Sequence, residues 1–275
     1  MDYTLRDLQL CELEILKRIK KLCEDHGICY YLSSGTLLGA VRHGGFIPWD
    51  DDVDIEMPYP DYLHFLSIAQ NELGADYFIQ NSETDPHVST AFSKVRKNHT
   101  TMIPDYDQGL PGHHGVWIDV FPLVSIKNEA DLKVKKQRIR ISNFLTMDDM
   151  AFSKNEKWLT SQSSALMMRA VKFFRAFPLK LRKWTAKLLL RPVFRYGNDQ
   201  NLGIVWTNIT DCLPVSIYDG PETKLKFEDD EFSVPPKYIE YLERMYGDWK
   251  TPPPENQRSG GHGTLFIDLS RAIDE

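Results

Sequence analysis

No stretch of the 275-residue chain approaches the ~18 uninterrupted apolar residues of a membrane-spanning helix. The N-terminus, Met-Asp-Tyr-Thr-Leu-Arg-Asp, lacks a basic start followed by an apolar run, so no signal peptide is expected and a cytoplasmic chain is. Cysteine is scarce: Cys11, Cys23, Cys29 and Cys212 include no Cys-x-x-Cys pair, which argues against a zinc site and for reduced thiols. Internal repeats are missing. Gly and Pro, at 16 each, are too few for a fibrous or low-complexity chain. What is present, 42% hydrophobic residues, suffices for a real core in one large domain or one domain with an appendage.

Charge is unevenly spread. The net value is −6, yet sixteen Lys or Arg face three acids between Lys133 and Arg195. An acidic body therefore carries a basic middle segment, interleaved with Phe and Trp as in Lys172-Phe-Phe-Arg-Ala-Phe177. That pattern reads either as a solvated helical face or as a patch for the anionic inner face of a membrane, and the second is preferred. Nucleic acid is not expected as a partner, because the body is acidic and no recognised nucleic-acid module is found.

Local signals outline the elements. Thr4 with Asp7 reads as a helix start, followed by Leu5, Leu8, Ile15, Ile19 and Leu22 near helical spacing and a stop at Gly27. Ile28–Leu32 reads as a strand, Ser33-Ser34-Gly35 as a tight turn, and Thr36–His43 as a short helix. A strand follows over Asp52–Met57, with Val53, Ile55 and Met57 on one face and Asp52, Asp54 and Glu56 on the other. Pro58 and Pro60 close it, and Tyr62–Leu73 reads as a helix. Apolar runs follow at Ala91–Val95 and Val116–Phe121. The segment from about Asp131 to Tyr196 reads as helical, and Lys224–Val234 as a hairpin turning at Asp229-Asp230. A last helix opens at Pro235-Pro236 and ends near Gly247; an irregular tail with Thr251–Pro254 and Ser259–Gly261 follows.

The chemistry centres on Asp52 and Asp54. Residues two apart on a strand point the same way and lie about 6–7 Å apart. Two converging carboxylates share a proton, pair with a cation or hold a metal, and hard divalent cations prefer such oxygen ligands. Alone, Asp-x-Asp also fits a solvated strand edge. The preceding strand, Ser-Ser-Gly turn and short helix favour a phosphate site, since a glycine turn and a helix start present N–H groups to an anion.

The run Tyr31-Leu-Ser-Ser-Gly-Thr-Leu-Leu-Gly-Ala-Val-Arg-His-Gly-Gly-Phe-Ile-Pro-Trp-Asp-Asp-Asp-Val-Asp-Ile55 resembles the LicD family of phosphotransferases, whose animal relatives include the fukutin-related proteins. Phe92–Arg96, Trp117–Pro122, Phe232–Pro235 and Tyr246–Pro253 resemble later segments of that family, and the basic segment matches it least. The resemblance implies an α+β, nucleotidyltransferase-like fold, a mixed β-sheet flanked by helices with a basic helical insert. Its expected divisions are a catalytic core over 1–126, a basic helical segment over 127–200, and a C-terminal hairpin, helix and tail over 201–275 packing back on the core.

The resemblance also implies magnesium- or manganese-dependent transfer of phosphocholine, or a similar phospho-alcohol, from CDP-choline or another CDP-alcohol. The acceptor is a sugar hydroxyl of a cell-surface glycan precursor, such as teichoic acid or lipopolysaccharide, expected to be lipid-linked. Carried over, Asp52 and Asp54 are metal ligands, and Asp119 is a third ligand, the base for the acceptor hydroxyl, or both. Asp50 and Asp51 compete for these roles. Ser34, Gly35 and Thr36 would cradle phosphate, and Arg42, Lys94 and Arg96 would clamp the diphosphate. His113, His114 and His262 read as loop surface, and His43 as a helix cap. Trp49, Trp117, Tyr30, Tyr31 and Phe46 are candidates for an aromatic wall against a quaternary ammonium, although core packing suits most of them. The competing readings are a nucleotidyltransferase that leaves NMP on its acceptor and an inactive binding member.

Overall fold

The computed structural model describes residues 3–154 and 165–273. A mixed seven-stranded sheet runs in the order β1 (Tyr31–Leu32), β2 (Asp54–Pro58), β6 (Trp117–Ile126), β4 (Ser93–Lys97), β3 (Tyr77–Gln80), with β7 (Asn201–Val205) and β8 (Ile209–Pro214) continuing from β6. Only β2 and β6 pair in parallel; every other neighbour is antiparallel. β6 is buried along its whole length, as expected for a central strand covered on both faces. It exchanges partners midway: β4 pairs with it up to Val120, and β7 takes over from Leu123. Pro122, which has no N–H to give, falls at that handover.

Helices flank this sheet. α1 (Leu5–His26) starts with the expected capping box, in which the Asp7 amide donates to Thr4 Oγ1 at 3.2 Å and the Thr4 amide to Asp7 Oδ2 at 2.8 Å. It ends at Gly27, whose φ of 64° suits glycine. α1 and α3 (Tyr59–Leu73) pack on each other and on β6, burying Leu8, Ile15, Leu16, Ile19 and Phe65. α2 (Ser34–His43) lies between β1 and β2 in sequence.

Several boundaries differ from expectation for identifiable reasons. The strand at Ile28 is only Tyr31–Leu32, because the Ile28 amide donates to the Cys23 carbonyl and the Cys29 amide to Asp61 Oδ1. α2 begins at Ser34, so Gly35 lies in its first turn; the left-handed residue is Ser34, at φ 49°. β2 starts only at Asp54, leaving Asp52 and Val53 outside the strand. Pro60 sits in the first turn of α3, where a missing N–H costs nothing. The hairpin β9 (Thr223–Phe227) and β10 (Asp230–Val234) turns at Glu228-Asp229, one residue earlier than expected.

In the basic segment the described helices include α4 (Glu129–Thr146), α5 (Ala165–Arg175) and α6 (Leu179–Leu190), and residues 149–154 are helical too; residues 155–164 lie outside the described residues. Not all of its cations are solvated. Lys135 is buried and donates to the Ser125 carbonyl, while Arg175 and Arg182 hold Asp149 between them. The last helix, α7 (Tyr238–Tyr246), stops before Gly247 as expected. The tail beyond it is less irregular than its composition suggests: β11 (Thr264–Asp268) pairs with β5 (Thr101–Pro104).

Candidate active site

Three strands bring charge to one line. Asp54 on β2 is the parallel register partner of Asp119 on β6, and Lys94 on β4 is the antiparallel partner of Asp119. Neighbouring strands lie about 4.8 Å apart, so these side chains stand side by side. Lys94 Nζ meets Asp119 Oδ1 at 2.7 Å and lies 4.2 Å from the centroid of the Trp117 ring. Arg96, next on the same face of β4, is stacked 4.7 Å over that ring and is fixed by the Gly115 carbonyl at 2.7 Å and Gln80 Oε1 at 2.5 Å. Asp54, Asp119, Lys94 and Arg96 line a cavity of about 540 Å³. Asp54 and Asp119 are each only 6% exposed.

Asp52 lines the same cavity from the loop before β2. The expected face is thus shared by Asp52 and Asp54 although only Asp54 belongs to the strand. The third acid of the alternation, Glu56, has a different task. It is buried, accepts from Ser33 Oγ at 2.8 Å, Tyr218 at 2.7 Å and Tyr241 at 3.3 Å, and ties β2 to the start of α2 and to α7.

The carboxylates are desolvated together. Burial, then the charge of Asp52, pushes the Asp50 carboxyl up to about 8. Burial, followed by Asp52 and Asp119, holds Asp54 well above the ordinary carboxylate range. Glu12 reaches this cluster from α1. It is fully buried, its Oε2 has no hydrogen-bond partner among the described residues, and burial plus the charges of Asp52, Asp51, Asp50 and Asp119 raise its pKa. Such a set needs protons or a cation. Carboxylate oxygens converging in a cavity fit a hard divalent ion. The tightest set of ligand atoms among the described residues is a different one, Asp51, Asp52 and His262, within 4.8 Å of one another. Asp51, however, already spends its oxygens on the tail. It accepts from the Gly261 amide at 2.7 Å and the His262 amide at 3.2 Å, and His262 Nδ1 lies 3.3 Å from it. Burial favours a protonated Asp51, but His262 and the Gly261 amide outweigh it and lower the pKa. Asp51 thus holds the tail, whereas Asp52 and Asp54 line the cavity.

Gly260 makes this latch feasible, because a Cβ there would come within 2.7 Å of the Asp51 carboxylate carbon. Gly35 serves the other side of the site: a Cβ on it would meet Asp50 Oδ2 at 3.0 Å. Ser34, Gly35 and Thr36 do not line the cavity. Thr36 Oγ1 instead accepts from the Asp54 amide at 2.9 Å and fixes the start of β2. Arg42 is also outside the cavity, donating to the Trp249 carbonyl at 3.0 Å. His113, His114 and His262, read as loop surface, all line it, since the β5–β11 pairing and the Met102 amide bond to the His114 carbonyl draw these loops inward. Burial and Arg96 push His113 down to about 4. The aromatic wall also differs from the candidates. Phe46 packs on Phe227, Tyr31 on Tyr218, and Trp49 faces His43 and Arg258. Tyr30 is buried in the core and Trp117 lies beneath Lys94 and Arg96. The aromatic side chains lining the cavity are Phe92, Tyr106, Phe121 and Trp206.

The geometry agrees with the comparisons to known proteins. Residues 27–130 match the LicD/FKTN/FKRP nucleotidyltransferase domain. Over 270 residues, 94% of this chain and 96% of the other, the chain is 28% identical to the lipopolysaccharide cholinephosphotransferase LicD of Haemophilus influenzae. A 111-residue stretch, 38% of this chain but 22% of the human protein, is 48% identical to the ribitol 5-phosphate transferase FKRP of Homo sapiens. An uncharacterized Rickettsia typhi protein is 40% identical over 70 residues, 26% of this chain and 23% of its own. The matched domain contains Asp52, Asp54, Lys94 and Asp119 alike, and the likeness to the Haemophilus enzyme runs nearly the full length of both chains.

Proposed function

We propose that the chain transfers a phospho-alcohol, phosphocholine or a close analogue, from a CDP-alcohol to a sugar hydroxyl of a cell-surface glycan precursor. The single observation that carries this reading is the row Asp54–Asp119–Lys94 across three adjacent strands at the floor of one cavity. Opposite charges held side by side suit a reaction in which anionic phosphate is gathered and a hydroxyl proton removed. The nucleotidyltransferase-like architecture belongs to the same reading: the acids on neighbouring parallel strands are what such a fold would supply.

A magnesium or manganese ion, held by Asp52 and Asp54 with Asp119 as third carboxylate, would neutralise charge on the transferring phosphate. The chain's own residues do the rest. Lys94 and Arg96, stacked on Trp117, bind the diphosphate oxygens. Asp119, exchanging its Lys94 partner for substrate, accepts the proton of the attacking hydroxyl on a carboxylate oxygen. The new bond joins the acceptor's hydroxyl oxygen to the phosphorus bearing the alcohol, and the bond to CMP breaks in line, CMP leaving with the electron pair. Phe92, Phe121 and Trp206, with Phe121 and Trp206 centroids 5.2 Å apart, form the face against which a quaternary ammonium would stack.

The deciding experiment incubates the chain with magnesium, a glycan acceptor and a panel of choline, ethanolamine, glycerol and ribitol CDP-alcohols, and follows the nucleotide product. Release of CMP supports the reading. Pyrophosphate release from a nucleoside triphosphate, with nucleotide left on the acceptor, would replace it with the nucleotidyl-transfer alternative.

A further inference from the structure

A second surface remains outside the site. Along α5 and the turn after it, Leu166, Phe173, Phe174 and Phe177 are exposed and recur at i, i+7, i+8 and i+11. Along α6, Leu181, Trp184 and Leu188 are exposed at i, i+3 and i+7. Both spacings describe one face of a helix. These are not the faces that the fold buries: Met168 and Val171 of α5 pack with Phe144 and Phe152, and Ala186 of α6 points inward. Leu166 is 79% exposed, Phe173 64% and Trp184 60%, and the rings of Phe173, Phe174 and Phe177 touch at centroid distances of 5.5 to 6.3 Å. Large apolar patches of this kind mark interaction surfaces.

The charge that these two helices themselves carry has one sign. No acid occurs between Ala165 and Leu190, while Arg169, Lys180 and Arg191 are exposed next to the apolar stripes. The nearest acids are each paired, Glu83 with Lys187 of α6, Asp148 with His87, and Asp149 with Arg175 and Arg182. Exposed aromatics edged by cations on short amphipathic helices match the chemistry of a bilayer interface, where rings enter the headgroup boundary and cations meet anionic lipid. No helix among the described residues is long and apolar enough to cross a membrane.

We propose that the outward face of α5 and α6 is a docking surface for an anionic lipid bilayer. The surface lies directly behind one wall of the cavity. Arg175, at the end of α5, donates to the Phe144 and Met147 carbonyls at 2.7 and 2.9 Å, and Met147, Asp148 and Ala151 line the cavity. Docking would hold the cavity beside lipid-carried acceptors; that use rests on the transfer reading, whereas the lipid binding does not.

The test is co-sedimentation of the full chain with vesicles of phosphatidylcholine mixed with phosphatidylglycerol, against phosphatidylcholine alone, over a salt series. Wild type should sediment with the mixed vesicles and lose binding as salt rises. Phe173→Ser with Trp184→Ser should lower partitioning about tenfold or more, and so should Arg169→Glu with Lys180→Glu. Circular dichroism and Tm should be unchanged, since these side chains face solvent. The proposal is overturned if wild type ignores mixed vesicles at low salt, or if both double variants bind like wild type. It is also overturned if light scattering shows a dimer that Phe173→Ser with Trp184→Ser dissolves, which would make the face a contact between copies. Vesicle binding without CMP release would leave the docking intact and remove the reaction.

Discussion

Asp54 and Asp119 stand on the central sheet, almost out of water, with their neighbours fixed by strand register. Lys180 and the rings of Phe173 and Trp184 stand on helices that pack on α4 beside that sheet, and most of their surface is wet. One region concentrates like charge inside and is strained by it; the other spreads like charge outside at little cost. The difference teaches where each can be altered. A buried carboxylate cluster is costly unless it is neutralised, so its retention points to chemistry. An exposed basic face tolerates substitution and reveals its use only when a partner is supplied.

The largest expected effect strikes the buried side. Asp54→Asn should lower CMP release by about a thousandfold or more, yet metal-free stability should not fall, because the change removes a desolvated carboxylate repelled by Asp52 and Asp119. Turnover assays beside thermal melts check both halves, and near wild-type turnover would erase the contrast. Next comes the latch. Asp51→Ala removes the acceptor of the Gly261 and His262 amides and should cost ten- to a hundredfold in turnover, with Gly260→Val, which crowds the same carboxylate, following it. A latch variant with unchanged kinetics would detach the tail from the site.

A smaller effect concerns protons. With Asp50 pushed up to about 8 in the metal-free chain, magnesium binding should release protons and tighten as pH rises toward 8. Titration calorimetry in two buffers of different ionisation enthalpy measures that release; equal heats would argue against a metal at these acids. The smallest effect is His113, whose pKa is pushed down to about 4. The unfolded chain takes up a proton near the ordinary histidine value and the folded chain does not until lower pH. Stability should therefore fall as pH drops from about 6.5 toward 4, a slope that His113→Gln should flatten in a Tm-against-pH series.

The sequence made some of this legible and hid the rest for physical reasons. The Thr4–Asp7 box and Gly27 marked α1 because capping is local chemistry, and the alternation around Val53, Ile55 and Met57 marked the acid face because pleat periodicity is local too. The family likeness carried the mixed sheet with its flanking helices. Glu56 could not be separated from Asp52 and Asp54 by period alone; its fate is decided by Tyr218 and Tyr241, far along the chain. Glu12, His262 and the lining aromatics Phe92, Tyr106, Phe121 and Trp206 were missed as site residues for the same reason, since only tertiary packing gathers them. The spacing Gly-Gly-His beside the tail strand β11 was the one local signal for the latch, and it looked like an irregular end.

The partner exchange along β6 has a geometric consequence. Asp119 and Ser125 lie on one unbroken strand, and Lys135 of α4 is fastened to the Ser125 carbonyl. At ~3.3 Å per residue the two positions are ~20 Å apart on a stiff rod. A bilayer resting on the far helices would thus stand at a set height from the reacting carboxylate. Acceptors would be sorted by how far their hydroxyl projects from the lipid, with the strand acting as the measuring stick.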